Sequence, residues 1–210
     1  MGVARLLIVG SGGREHALAW AVLRDAPDLQ VIVAPGNGGT AGIAETVPLD
    51  PTDAVAVATL AEERDVDLVV IGPDAAAAAG VADACADRGV AVFGPTAAAA
   101  RIESSKTFAK HVMDAAGIPT ARWVSGEVAD RKRLSGFVGD LGGVCVVKAD
   151  GLALGKGVLI CDDVDAAERA LDDCLAARRV GAAGKPVGVQ DRRHGPEGGG
   201  VRRRDGRAAR

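Results

Sequence analysis

A chain of 210 residues with 48% hydrophobic residues can bury one large core or two small ones. The formal charge of −3 is divided unevenly: residues 1–177 hold 15 Lys and Arg against 25 Asp and Glu, and residues 178–210 hold 10 against 3. No apolar run approaches the ~18 residues of a membrane span, and no signal-like segment opens the chain, so a soluble, cytoplasmic protein is expected.

The first hundred residues alternate two rhythms. "ARLLIVG" at 4–10 reads as a buried strand, and "REHALAWAVLRD" at 14–25 follows with helical spacing. "VIVAPG" at 31–36 is a second strand. "DPTDAVAVATLAEERD" at 50–65 reads as a capped amphipathic helix. "VDLVVIGPD" at 66–74, "AAAAAGVADACADRG" at 75–89 and "VAVFGP" at 90–95 give a third strand, a third helix and a fourth strand. Short all-apolar strands separated by helices imply a parallel sheet covered on both faces.

From residue 96 the rhythm changes. "TAAAARIESSKTFAKHVMDAAG" predicts two linked helices, "IPTARWV" an extended segment, and "GEVADRKRLSGFVGDLG" a helix with breaks. Two strands, Val144–Val147 and Val158–Ile160, flank a glycine- and lysine-rich loop. "DDVDAAERALDDCLAARR" at 162–179 is a helix whose acidic first turn and basic last turn suit its dipole. Residues 191–210 hold seven arginines, five glycines and one aliphatic side chain larger than alanine, so disorder is expected there.

The core must be filled mainly by alanine and valine, because the aromatics are only Trp20, Phe93, Phe108, Trp123 and Phe137. Cys85, Cys145, Cys161 and Cys174 show no C-x-x-C or zinc-like spacing and read as reduced, buried small hydrophobes. "VGSGGREHA" sits between a strand and a helix, where Gly10, Gly12 and Gly13 let backbone N–H groups face an anion. It also reads as a tight turn without a ligand. A dinucleotide fingerprint fails twice: position 15 is Glu15, and the second strand ends Ala34-Pro35-Gly36-Asn37 without a ribose-binding acid.

"APGNGGTAG" and "IGPDA" follow strands two and three, so three small-residue loops share one carboxyl edge and could cradle a phosphosugar. Asp74 reads equally as a sugar-hydroxyl acceptor or a helix N-cap. "VVKADGLALGKGV" places Lys148 at a strand end and Lys156 in the loop, with no helix following, which excludes a Walker P-loop. Such a hairpin could close over a polyphosphate or be a solvated turn. His16 is a candidate general base or a packing residue, His111 packs or faces solvent, and His194 lies in the tail. The arginine-rich tail lacks the interleaved aromatics of a single-strand binder, so no specific nucleic acid is expected.

These stretches, with "VFGPTAAAARIESSKTFAKHVMDAAGIPTA" at 92–121, resemble the amino-terminal half of the phosphoribosylamine–glycine ligase family of ATP-grasp enzymes. The resemblance runs from about residue 4 to about 187. It implies an α/β fold: a parallel-sheet, Rossmann-like (pre-ATP-grasp) domain at 1–101, a partial ATP-grasp domain at 102–187, and a disordered Arg/Gly-rich tail at 188–210. The implied reaction joins glycine to 5-phosphoribosylamine through an acyl phosphate made with ATP and Mg2+.

By motif, Lys106, Lys148, Gly151, Gly155, Lys156 and Gly157 would meet ATP, and Gly10, Gly12, Gly13, Arg14, Gly36, Asn37, Gly38, Gly72, Pro73 and Asp74 would face phosphoribosylamine. The implied partners are thus small molecules, with no membrane.

Asp74 stands where the family has Glu, Leu154 where it has a small residue, and the expected "V-V-E-E-F-L-D-G-P-E" strand reads as lost after Val187. A reading-frame shift near codon 188 is therefore expected, with the magnesium ligands outside the chain. Its consequences would be a sheet around 144–160 that lacks partners, and weak or absent ligase activity. The alternative is a non-catalytic nucleotide- or phosphosugar-binding fragment.

Overall fold

The computed structural model describes residues 4–152, 157–176 and 186–193. The chain divides into two compact units, Met1–Ser104 and Ser105–Arg210.

The first unit runs β1 (Arg5–Gly10), α1 (Gly13–Asp25), β2 (Gln30–Pro35), β3 (Glu45–Thr46), α2 (Ala54–Glu63), β4 (Leu68–Ile71), α3 (Asp74–Ala78), α4 (Val81–Ala86), β5 (Ala91–Phe93) and α5 (Ala97–Ser104). The sheet order is β3-β2-β1-β4-β5, and every pair is parallel. Leu7 and Val9 join one core cluster with α2 and α4, and Leu6 and Ile8 join another that includes Ala19 of α1. Burial on both faces is why β1 reads as an unbroken apolar run.

Sequence periodicity misses β3, which has two polar residues and is too short to show alternation. The helix expected over 75–89 is two helices. Gly80 adopts φ +86°, a left-handed conformation that ends α3 before α4 begins. The capped start expected for α2 is present: Asp53 accepts the Ala56 N–H at 3.0 Å.

The second unit comprises α6 (Lys106–Ala115), β6 (Trp123–Gly126), α7 (Arg131–Asp140), β7 (Cys145–Ala149), β8 (Val158–Cys161), α8 (Val164–Leu175) and β9 (Val187–Asp191). Its antiparallel sheet has the order β6-β9-β7-β8. One face buries Cys145, Val147, Leu159, Cys161, Val187 and Val189 against Leu134 and Val138 of α7 and Ala167, Ala170 and Leu171 of α8. Arg131 bridges the two helices, at 2.6 Å from Glu168 and 2.9 Å from Asp172. Asp163 caps α8 by accepting the Ala166 N–H at 2.7 Å. The basic last turn expected for this helix, Arg178 and Arg179, lies outside the described residues.

β9 corrects two expectations. The disorder predicted from residue 188 is not found at 188–191, because Val187–Asp191 is a strand hydrogen-bonded on both sides. β7 does not lack partners, since it pairs with both β8 and β9. The reading failed because Gly188, Gln190 and the arginines beyond hid the alternation: Val187, Val189 and Asp191 face inward. The rest of the predicted tail, 194–210, lies outside the described residues.

All four cysteines are buried. Cys145 stands opposite Cys161 in the register, and burial with Cys161 alongside pushes the Cys145 thiol up to about 12. That thiol is inert at neutral pH.

Two outcomes follow from this packing. Amides of β7 and β9, central in their sheet, should exchange with deuterium more slowly than those of the edge strand β8; equal rates would contradict the strand order. Gly143 has φ +76°, and a Cβ there would lie 2.0 Å from the Asp163 carbonyl carbon. Gly143→Ala should therefore cost more than about 2 kcal/mol by urea unfolding.

Candidate functional site

In the first unit, the loops after β1, β2 and β4 meet at the carboxyl edge of the sheet. The Gly36 N–H donates to the Gly10 carbonyl at 3.1 Å, and the Gly72 N–H to the Val9 carbonyl at 3.0 Å. Arg14 Nη1 donates to the Gly72 carbonyl at 2.6 Å and lies 3.9 Å from Asp74. Asn37 Nδ2 donates to the Ser11 carbonyl at 2.9 Å, while Asn37 Oδ1 accepts from the N–H groups of Gly39 and Thr40 at 2.8 and 3.1 Å. Asn37 is thus a brace between two loops. Buried Thr40 completes the brace, accepting the Asn37 N–H at 2.7 Å.

Glu15 explains the failed dinucleotide fingerprint. It is only 4% exposed, and its carboxylate accepts the Gly12 N–H at 2.5 Å. A Cβ on Gly10 would come within 2.8 Å of the Glu15 side chain, and one on Gly72 within 2.1 Å. The glycines at 10 and 72 therefore make room for Glu15, which occupies part of the anion-binding helix start. Gly13 and Gly38 have open space where a Cβ would stand, so neither is required by packing.

Pro73, not Asp74, holds the N-cap position of α3, and Asp74 is its first residue. The N-cap reading of Asp74 is corrected accordingly. His16 packs its ring against Gly39, where a Cβ would lie 2.4 Å from the imidazole.

In the second unit, a small pocket opens between α6 and the sheet face opposite the buried core. Lys106, Thr107 and Lys110 of α6 line it, with Trp123 and Ser125 of β6, Lys148 of β7, and Gly188, Val189 and Gln190 of β9. Lys148 Nζ donates to Gln190 Oε1 at 2.8 Å, and Lys106 Nζ to the Gly151 carbonyl at 2.7 Å. Asp150 locks the start of the glycine loop. Its carboxylate accepts the Ser105 hydroxyl at 2.8 Å and the Thr107 N–H at 3.1 Å, and its own N–H donates to the Pro186 carbonyl at 2.9 Å.

Gly151 has φ +96°, which releases the chain from β7 into the loop. Gly157 is described; Leu154, Gly155 and Lys156 lie outside the described residues. Lys110, Asp150 and Gln190 were not singled out from sequence. Lys110 had a visible signal, since it follows Lys106 by four residues on one helix face. His111 packs edge-on against Trp123, with centroids 5.0 Å apart.

Burial, and secondarily Lys106, holds the Lys148 ammonium below its ordinary pKa of 10.5. Burial and then Lys148 do the same to Lys110, partly offset by Asp114. Among the described residues no group of three or more His, Cys, Asp or Glu could hold a metal ion.

A depressed lysine pKa means that the folded state holds fewer protons than the unfolded one just below pH 10.5, so stability should rise with pH across that window. Urea unfolding at pH 8 and pH 10 checks this. Lys148→Met should flatten the rise, and an unchanged slope would count against the assignment.

The family model "Phosphoribosylglycinamide synthetase, N domain" matches residues 4–103, and "Phosphoribosylglycinamide synthetase, ATP-grasp (A) domain" matches 104–209. A phosphoribosylamine–glycine ligase of Rhodopirellula baltica is 46% identical over 198 residues, covering 91% of this chain and 45% of the relative. The crystal structure of the Thermotoga maritima phosphoribosylamine–glycine ligase superposes with a TM-score of 0.71 at 30% identity, covering 89% of this chain and 43% of that one. The biotin carboxylase domain of Hydrogenobacter thermophilus 2-oxoglutarate carboxylase, at 19% identity and TM-score 0.70 over 89% of this chain and 44% of its own, shares the fold. The chain spans about half the length of the curated relatives it matches. With both family models matching end to end over the two units, the chain belongs to the phosphoribosylglycinamide synthetase family.

Proposed function

We propose that this chain carries the phosphosugar-side and ATP-side binding surfaces of a phosphoribosylamine–glycine ligase acting in purine biosynthesis. The observation that carries the reading is the convergence of lysines on one open sheet face. Lys106 and Lys148 would hold the charge of the ATP phosphates, and the glycine loop rooted at Asp150 and Gly151, with Lys156, would cover them.

The same sheet face offers the nucleobase an apolar surface. Val158 is 43% exposed and Ile160 67% exposed, and both alternate with the inward-facing Leu159 and Cys161. Gln190 and Asp191 end β9. In the first unit, the first turn of α1 and the loops braced by Arg14 and Asn37 would receive the phosphate and ribose of phosphoribosylamine. Asp74 is exposed at that edge and reaches one methylene less far than the family's Glu.

What these residues do for catalysis is positioning and charge balance. Phosphoryl transfer to the glycine carboxylate needs the γ-phosphate neutralised and aligned, and lysines at the phosphates supply part of that. The described residues hold no metal cluster, and the relatives are about twice as long. The 210-residue chain is therefore read as binding nucleotide with little or no turnover on its own. Its proposed partners are ATP, glycine and phosphoribosylamine, in the cytoplasm. Among the described residues no helix is long and apolar enough to cross a membrane.

Calorimetric titration with ADP should show binding that Lys148→Met weakens about tenfold or more, the value of one lost charge-assisted contact. Affinity should fall as pH rises toward 10.5, because the anion needs both lysines protonated. A chain that does not bind ADP refutes the ATP-side reading. Steady formation of glycinamide ribonucleotide by the purified chain refutes the claim of little turnover.

A further inference from the structure

Lys110 is unassigned by the motifs that mark Lys106 and Lys148, yet it lines the same pocket. It lies four residues beyond Lys106 in α6, so both stems leave one face of the helix about 6 Å apart along its axis. Its ammonium donates to Thr120 Oγ1, in the segment joining α6 to β6. The carboxylate acting on it is Asp114, which also accepts Trp123 Nε1 at 3.2 Å. Lys148 repels it, so these two charges face a common space.

Among the described residues the three ammoniums donate to neutral oxygens: the Gly151 carbonyl, Thr120 Oγ1 and Gln190 Oε1. Each ammonium has three donors. Asp114 offsets part of the Lys110 charge, but gathering three such cations is still unfavourable in the absence of a polyanion.

We infer that Lys110 is a third ligand of the nucleotide polyphosphate, selecting a di- or triphosphate over a monophosphate. The inference rests on the nucleotide reading of the pocket. Two lysines on the helix at i and i+4, facing a third on the sheet, can grip successive phosphates, whereas one phosphate engages only part of the set. The hydrogen bond to Thr120 restrains the Lys110 side chain, so part of its ordering cost is met before ligand arrives.

The test uses the 210-residue chain and four probes: ADP, AMP, adenosine and inorganic tripolyphosphate. Lys110→Met should weaken ADP and tripolyphosphate about tenfold, AMP less, and adenosine by no more than about twofold. Lys110→Arg, which keeps the charge, should recover most of the loss. Lys110→Gln gives the charge-free comparison if the methionine variant does not fold.

An equal loss for ADP and adenosine would show that Lys110 only shapes the pocket, and this overturns the inference. Unchanged ADP affinity in a variant of a chain that does bind ADP overturns it while leaving the nucleotide reading intact. Failure of the wild-type chain to bind either ADP or tripolyphosphate overturns both.

Discussion

The second unit is organised by an asymmetry between the two faces of one antiparallel sheet. One face is sealed by α7 and α8 over valine, leucine, alanine and cysteine. The other presents Lys148 beside Val158 and Ile160, with α6 bringing Lys106 and Lys110 over it. Because strand side chains alternate, the strand that buries Cys145 and Val147 must present Lys148 on the opposite face. The core that stabilises the sheet thereby fixes the position of the charge. The depressed lysine pKa values are the energetic trace of that arrangement, in which stability is given up to keep cations gathered and poorly solvated.

Carboxylates that a motif reading would offer to substrate serve the scaffold. Asp150 ties the end of β7 to the start of α6 and, through its backbone, to the chain entering β9. The root of the glycine loop is thus held at three points while the loop leaves through Gly151. Glu15 does comparable work in the first unit, filling the space beneath three glycines and accepting the Gly12 N–H. In each case a carboxyl side chain sits at a helix start and accepts from its backbone N–H groups or N-cap.

Much of the architecture was legible in the sequence because the first four expected strands are apolar throughout and the helices between them carry caps or breaks. The Gly80 break was not legible, since an alanine run followed by another helical pattern gives no sign of where the axis turns. β9 was misjudged for a different reason. Its inward residues are two valines and an aspartate, and composition averaged over the arginine-rich stretch concealed a period of two. Among candidate site residues, Lys106 and Lys148 do meet at one pocket, whereas Asn37 is committed to bracing loops and Gly13 and Gly38 have open space beside them.

The sequence by itself determined the family, the parallel sheet with its glycine loops at one edge, and the lysines suited to phosphate. Those features follow from local periodicity and short motifs, which need no knowledge of distant contacts. Only the tertiary structure decided that Glu15 occupies the helix start, that Asp150 anchors the glycine loop, that β9 lies inside the second sheet, and that Lys110 joins the lysine pocket. Each of these depends on which strand lies beside which and on the face a side chain leaves. Strand pairing across some 40 residues, such as β7 with β9, is set by the common burial of a core rather than by any local signal.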